Sequence, residues 1–145
     1  MNPAALAEEL HEARRARATV ATLTSRHPDL TRDDAYDVQA AGIQLRREDG
    51  ETIVGGKLGF TSLAMQRAMG VDSPNYGWLT DAMLVHDRTV RLAELIHPKV
   101  EPEIAFLLAE DLGPATTADD VLWATRAVAP CLEAVDSRFV DFRFQ

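Results

Sequence analysis

Apolar positions in the first part of the chain recur at helical spacing. Leu6, Leu10, Ala13, Ala16, Val20 and Leu23 follow one another by three or four residues, which predicts one amphipathic helix reaching to about residue 23. The stretch "RHPDLT" breaks it. Thr31, with Asp34 three residues on, predicts the N-cap of a second helix. Ala35, Val38 and Leu45 mark its apolar side, and "EDGE" ends it at Gly50. From Ile53 the pattern changes to glycine-rich, β-branched and alternating stretches. These predict strands over 53–60, 83–90, 99–109 and 128–136. Short helices are predicted near 62–69 and at 118–127, the latter capped by Thr117 with Asp120 three residues on. Helices followed by strands with helical insertions predict an α+β protein, one domain over 1–145 that is helical over 1–50 and β-rich from 51 onward. The closing stretch "SRFVDFRFQ" alternates like a strand with no turn or cap after it, so the pattern predicts an element left unfinished.

Composition narrows the function classes. A hydrophobic fraction of 46% with 26% charged residues is that of a folded globular chain. The net charge of −8 speaks against a nucleic-acid partner, because phosphate binding needs clustered Lys and Arg. Arg14, Arg15 and Arg17 form the one basic cluster, and within an Ala/Glu-rich helix they read as a solvated face. No run approaches the ~18 apolar residues of a membrane span, and the N-terminus has no apolar signal region, so no membrane partner is expected. The single cysteine, Cys131, excludes an internal disulfide and suits a reducing, cytoplasmic setting.

Candidate chemistry centres on "HPKVEPEIAFLL", residues 97–108. Pro98 and Pro102 oppose a helix there. As a strand, Glu101, Glu103 and Ala105 share one face while Val100, Pro102, Ile104 and Phe106 share the other, the side expected to hold the sheet. Side chains two apart in a strand stand roughly 6.6–6.8 Å apart along its axis, so two carboxylates can converge on one cation. The spacing fits equally a half-exposed strand whose glutamates face water, which is the commoner situation.

Three further features bear on that choice. In "IVGGKLGFTS", Lys57 has Gly55 and Gly59 on either side of it along its own face, leaving space around the ammonium. The stretch is not a P-loop, and a surface lysine on a glycine-rich edge fits it as well. In "APCLEAVDSR", Glu133 shares a face with Cys131 and Val135, where a carboxylate needs a cation, an arginine or a proton. Cys131 reads as a small core residue rather than a nucleophile. The four histidines are scattered without metal-ligand spacing, so an oxygen-rich site for Mg²⁺ or Mn²⁺ is expected in place of zinc.

Taken together, "GGKLGFTS", "NYGWLTDAML", "LIHPKVEPEIAFLL" and "CLEAVDSRFVDFRF" resemble the 2-keto-4-pentenoate hydratase/4-oxalocrotonate decarboxylase group of the fumarylacetoacetate hydrolase superfamily. The likeness runs in the family's order from about Leu6 to the last residue. "LTDAML" and "HPKVEPEIAF" resemble the decarboxylase branch more than the hydratase branch. The resemblance implies N-terminal helices followed by the first part of a mixed β-sheet roll of the kind that forms the superfamily's C-terminal domain. It implies Glu101, Glu103 and Glu133 as metal ligands, Lys57 as the active-site lysine and, less directly, Asp81 as a polar residue of the substrate pocket. Cys131 stands where the family more often has alanine.

Family members are much longer, so the resemblance implies an incomplete, apparently truncated domain holding the metal ligands without the rest of the pocket. The implied substrates are small 2-oxo acids with a conjugated alkene, whose C2 carbonyl is polarised by the cation. In the decarboxylase reading, 2-oxo-3-hexenedioate loses its distal carboxylate as CO₂ and is protonated to a 2-oxopentenoate, with Lys57 assisting by charge or proton transfer. The alternatives are hydration of 2-hydroxypenta-2,4-dienoate or a fragment that turns over nothing. A homo-oligomer, or a complex with the cognate hydratase, is the implied assembly.

Overall fold

The computed structural model describes residues 1–143; Phe144 and Gln145, the end of the alternating closing stretch, lie outside the described residues. The chain is α+β, as the pattern predicts, and separates into two compact units. One comprises Met1–Ile96 together with the segment from Arg138 on, and the other is His97–Ser137.

In the first unit, α1 (Pro3–Ala16) begins where the Asn2 side chain accepts from the Ala4 and Ala5 amides. It stops at Arg17, whose backbone is left-handed (φ 52°) and donates back to Ala13 and Arg14. The helix predicted to reach residue 23 is therefore shorter. Val20 leaves the helical path and bridges Phe139 in parallel, donating to Arg138 O at 2.7 Å and accepting from Val140 N at 3.1 Å. Leu23 opens a separate short turn of helix, α2 (Leu23–Arg26). The second predicted helix forms as α3 (Arg32–Glu48), with Thr31 and Asp34 closing a reciprocal capping box. Leu6, Ala7, Leu23 and Val38 make the core, with Leu10, Leu30, Ala41, Leu45 and Phe139 packed against them.

β1 (Ile53–Gly59) and α4 (Leu63–Met69, capped by Ser62) fall where predicted. Their neighbour does not: β1 pairs antiparallel with β2 (Asn75–Thr80), whereas 83–90 forms no strand. The chain there makes a 3₁₀ turn over Asp81–Met83, then a bend in which Asp87 Oδ1 accepts from Thr89 N and Arg88 is left-handed. β2 is held by side chains outside its own pattern. Tyr76 stacks on Tyr36 of α3 at 4.5 Å between ring centroids, and Gln39 of α3 donates to Tyr76 O at 3.0 Å. Thr80, the last residue of β2, is fully buried and donates to Glu51, which also receives Arg46 Nε at 2.7 Å. That bonded group fixes the entry to β1 against the exit from β2.

The second unit is a long hairpin with one helical insertion. β3 (Lys99–Leu108) and β4 (Thr125–Val135) pair antiparallel from Lys99↔Val135 to Leu108↔Thr125, with one irregularity between Leu107 and Leu108. α5 (Ala118–Ala124) starts at the predicted Thr117/Asp120 capping box and passes directly into β4, so it ends before the predicted residue 127. Pro102 and Pro130 fall in rows of the same parity, so one ladder phase spares both from donating across the pair. The even face carries Val100, Ile104 and Phe106 against Ala134, Pro130 and Val128, with Pro102 against Leu132. The sequence places this apolar face toward a core, yet within this chain it is open: Ile104 is 66% and Leu132 73% exposed. At the end of the chain, 137–143 is no strand. It contributes the Phe139 bridge and a 3₁₀ turn, Val140–Phe142, interrupted by left-handed Asp141.

Candidate metal site

The odd face of the second unit carries the candidate chemistry. Period-two alternation puts Glu101 and Glu103 on one side of β3, and the pairing register brings β4 residues of the same parity to that side. Glu101 stands directly opposite Glu133, and Glu103 directly opposite Cys131. One carboxylate oxygen from each of Glu101, Glu103 and Glu133 lies within 4.8 Å of the others. Glu101 is exposed, while Glu103 and Glu133 are half-buried. Three converging carboxylates supply hard oxygen donors at a spacing a single divalent cation can span, and they repel one another less once its charge stands between them. Ala105 and Ala129, the next pair along this face, are small and add no bulk beside the carboxylates.

Cys131 is exposed, not a core residue. The alternation that places it beside Glu133 was visible in the sequence, but its exposure depends on what covers the face. A second feature escaped sequence reasoning altogether. Asp136, just past β4, accepts the His97 amide hydrogen bond at 2.8 Å and ties together the two chain ends of the hairpin.

Lys57 and Asp81 belong to the first unit. Lys57 is half-buried on β1, flanked along its face by Gly55 and Gly59 as the pattern predicts, and directly opposite Gly77 of β2. Glycine surrounds it on three sides, one more than the sequence reveals. At Gly59 a Cβ would meet Asn75 Oδ1, so the exposed Asn75 side chain would have to turn aside to admit one. Asp81 Oδ1 accepts from Thr52 N (3.0 Å) and Ala82 N (2.9 Å), so this carboxylate joins the start of β1 to the turn after β2. A cavity of about 420 Å³ in this unit is lined by Leu10, Val38, Trp78, Arg14 and Arg46 among others; neither Lys57 nor Asp81 lines it.

No model of a protein family matches the chain. Curated relatives do. A 2-hydroxyhexa-2,4-dienoate hydratase of Comamonas testosteroni is 44% identical over 95% of this chain and 54% of its own length. A 2-hydroxypent-2,4-dienoate hydratase of Pseudomonas putida is 44% identical over 97% of this chain and 64% of its own. A 4-oxalocrotonate decarboxylase of Pseudomonas sp. strain CF600 is 41% identical over 97% and 54%. Among solved structures, the 4-oxalocrotonate decarboxylase from Pseudomonas putida G7 complexed with magnesium and adipate superposes with a TM-score of 0.88 at 41% identity, covering 98% of this chain and 55% of that one. The same enzyme is also known complexed with calcium and acetate. The chain thus spans roughly half to two thirds of the length of the curated relatives it matches. Along nearly its whole length it is a homologue of the N-terminal part of the 4-oxalocrotonate decarboxylases and 2-keto-4-pentenoate hydratases.

Proposed function

We propose that Glu101, Glu103 and Glu133 hold a divalent cation, Mg²⁺ or Mn²⁺, and that the complete protein is a lyase acting on a small conjugated 2-oxo acid. The observation that carries this reading is the convergence of the three carboxylates within 4.8 Å. Their donor set fits the group, being all oxygen with no imidazole in it, as Mg²⁺ and Mn²⁺ prefer. The magnesium and calcium bound by the homologous decarboxylase support the same class of ion. When bound, the cation supplies a Lewis acid to the carbonyl oxygen of the 2-oxo acid.

The chain's own residues then have distinct tasks. Glu101, Glu103 and Glu133 fix the cation with their oxygens, while the small side chains of Ala105 and Ala129 leave that face open to a flat substrate. Lys57, held half-buried among three glycines, is proposed to stabilise negative charge or to hold and move a proton at Nζ. Asp81 is proposed as a polar group of the substrate pocket, alongside its structural bonds to Thr52 and Ala82.

For the reaction, we propose decarboxylation of 2-oxo-3-hexenedioate to CO₂ and a 2-oxopentenoate, supported by the TM-score of 0.88 to a decarboxylase. Hydration of a 2-hydroxydienoate is the second reading, favoured by the two hydratases at 44% identity. The setting proposed is the cytoplasmic meta-cleavage catabolism of aromatic compounds. The proposed assembly is a homo-oligomer, or a complex with a cognate hydratase. No described helix is long and apolar enough to cross a membrane.

The test is to place Glu101→Gln and Glu103→Gln together in a full-length protein and to assay CO₂ release and dienoate hydration with and without Mg²⁺. Loss of Mg²⁺-dependent turnover in the variant is expected, and the reaction retained by the unaltered protein distinguishes decarboxylase from hydratase. Undiminished turnover in the variant would overturn the assignment.

A further inference from the structure

We infer that Asp136 is a positioning residue of the carboxylate triad: its side chain sets the register of the hairpin and thereby brings Glu133 opposite Glu101. The inference rests on the reading of the triad as a metal site. The last paired row of the ladder is Lys99↔Val135, two rows from Glu101↔Glu133. Beyond it Pro98 has no amide hydrogen to offer, and the pairing ends. Asp136 Oδ1 instead accepts from the amide of His97, at 2.8 Å in a partly buried setting. The bond spans the two strand ends at the open end of the hairpin, far in sequence from its turn and α5.

Register matters here more than strength. A slip of one residue in a strand turns every side chain to the opposite face. Such a slip would carry Glu133 to the apolar side with Leu132 taking its place, leaving two carboxylates where the triad has three. Pro102 and Pro130 already favour one ladder phase, but the apolar face that would otherwise add to the penalty for a slip is open within this chain. A side-chain clamp to one particular amide adds to the discrimination that the two prolines give. The bond to the His97 amide needs an acceptor oxygen at position 136, which an asparagine side chain also supplies.

The test compares Asp136→Ala with Asp136→Asn, which keeps the acceptor and removes the charge, in the 145-residue chain. Amide exchange of metal-free protein and Mn²⁺ binding by electron paramagnetic resonance are measured on both. In D136A the His97 amide and the neighbouring β3 amides should lose protection, and Mn²⁺ affinity should fall about 10–100-fold, as when outer partners of metal ligands are removed. D136N should keep both close to the parent value, and circular dichroism should show α1 and α3 intact in each. Unchanged protection and affinity in D136A would overturn the inference, as would a D136N as weak as D136A, which would make the charge the operative property. If the parent chain binds no Mn²⁺, the metal reading fails, and amide exchange alone decides the register claim: retained protection in D136A sinks it, lost protection upholds it.

Discussion

Glu101 and Glu133 face each other directly across the β3–β4 pair, 32 positions apart in sequence and adjacent in space. Neither strand alone gathers enough oxygen donors for a cation; the pairing does. If this is a metal site, Glu133→Gln should weaken Mn²⁺ binding to the chain by more than the roughly 10–100-fold that loss of an outer partner costs. Isothermal titration of parent and variant checks this, and equal affinities would remove Glu133 from the site.

Cys131 stands opposite Glu103 and is exposed, so its thiol reports on the same face. A thiol reagent should modify the folded protein at one site without denaturant. Saturating Mg²⁺ should slow that modification, because an ion held by Glu103 and its neighbours crowds the adjoining position. A thiol that reacts only after unfolding contradicts the described exposure, whereas a rate indifferent to Mg²⁺ counts against the ion.

The even face of the hairpin offers contiguous apolar surface, with Val100 at 67%, Ile104 at 66% and Leu132 at 73% exposure. Patches of this kind promote association. The 145-residue chain should bind a hydrophobic dye and show concentration-dependent association by light scattering. Ile104→Lys with Leu132→Lys should suppress both, and stability should change little, since exposed positions seldom matter by more than about 0.5 kcal/mol. A parent chain that stays monomeric and dye-free would refute this.

The capping box of α3 predicts a pH dependence with a definite sign. The Thr31 hydroxyl, and then the Thr31 amide, donate to the Asp34 carboxylate and hold its pKa below the ordinary value. A lowered pKa in the folded state stabilises it at pH values above the ordinary carboxylate range, and that contribution fades as pH falls through the lowered value. Thr31→Ala should therefore be less stable than the parent at neutral pH, and the difference should shrink in acid. Urea unfolding at several pH values checks this, and a pH-independent difference would show that the ionised carboxylate plays no part.

Signals in the sequence hold in the structure where the physics is local. Thr31 with Asp34 and Thr117 with Asp120 cap helices because hydroxyl, carboxylate and amide lie within one turn of each other. Glu101 and Glu103 share a face because side chains of any strand alternate. Where a partner far along the chain decides, the pattern misled. Val20 fits a helical stripe but is claimed by a bridge to Phe139. "NYGWLT" is not among the predicted strands, yet β1 supplies its ladder and Tyr36 its stacking partner. "MLVHDRTV" has the apolar composition of a strand and becomes turns and bends.

The sequence by itself determined the α+β class, the helix caps, the two-glutamate face of β3 and the glycines beside Lys57, since each follows from backbone geometry over a few residues. The family resemblance of the sequence names Glu133 as a third ligand, but only the tertiary structure decided that it stands directly opposite Glu101 and converges with the other two carboxylates, that Cys131 is exposed beside it and that Asp136 holds His97. Those depend on cross-strand register, and register is a choice among pairings that differ by single residues, settled by contacts between segments that the sequence keeps far apart.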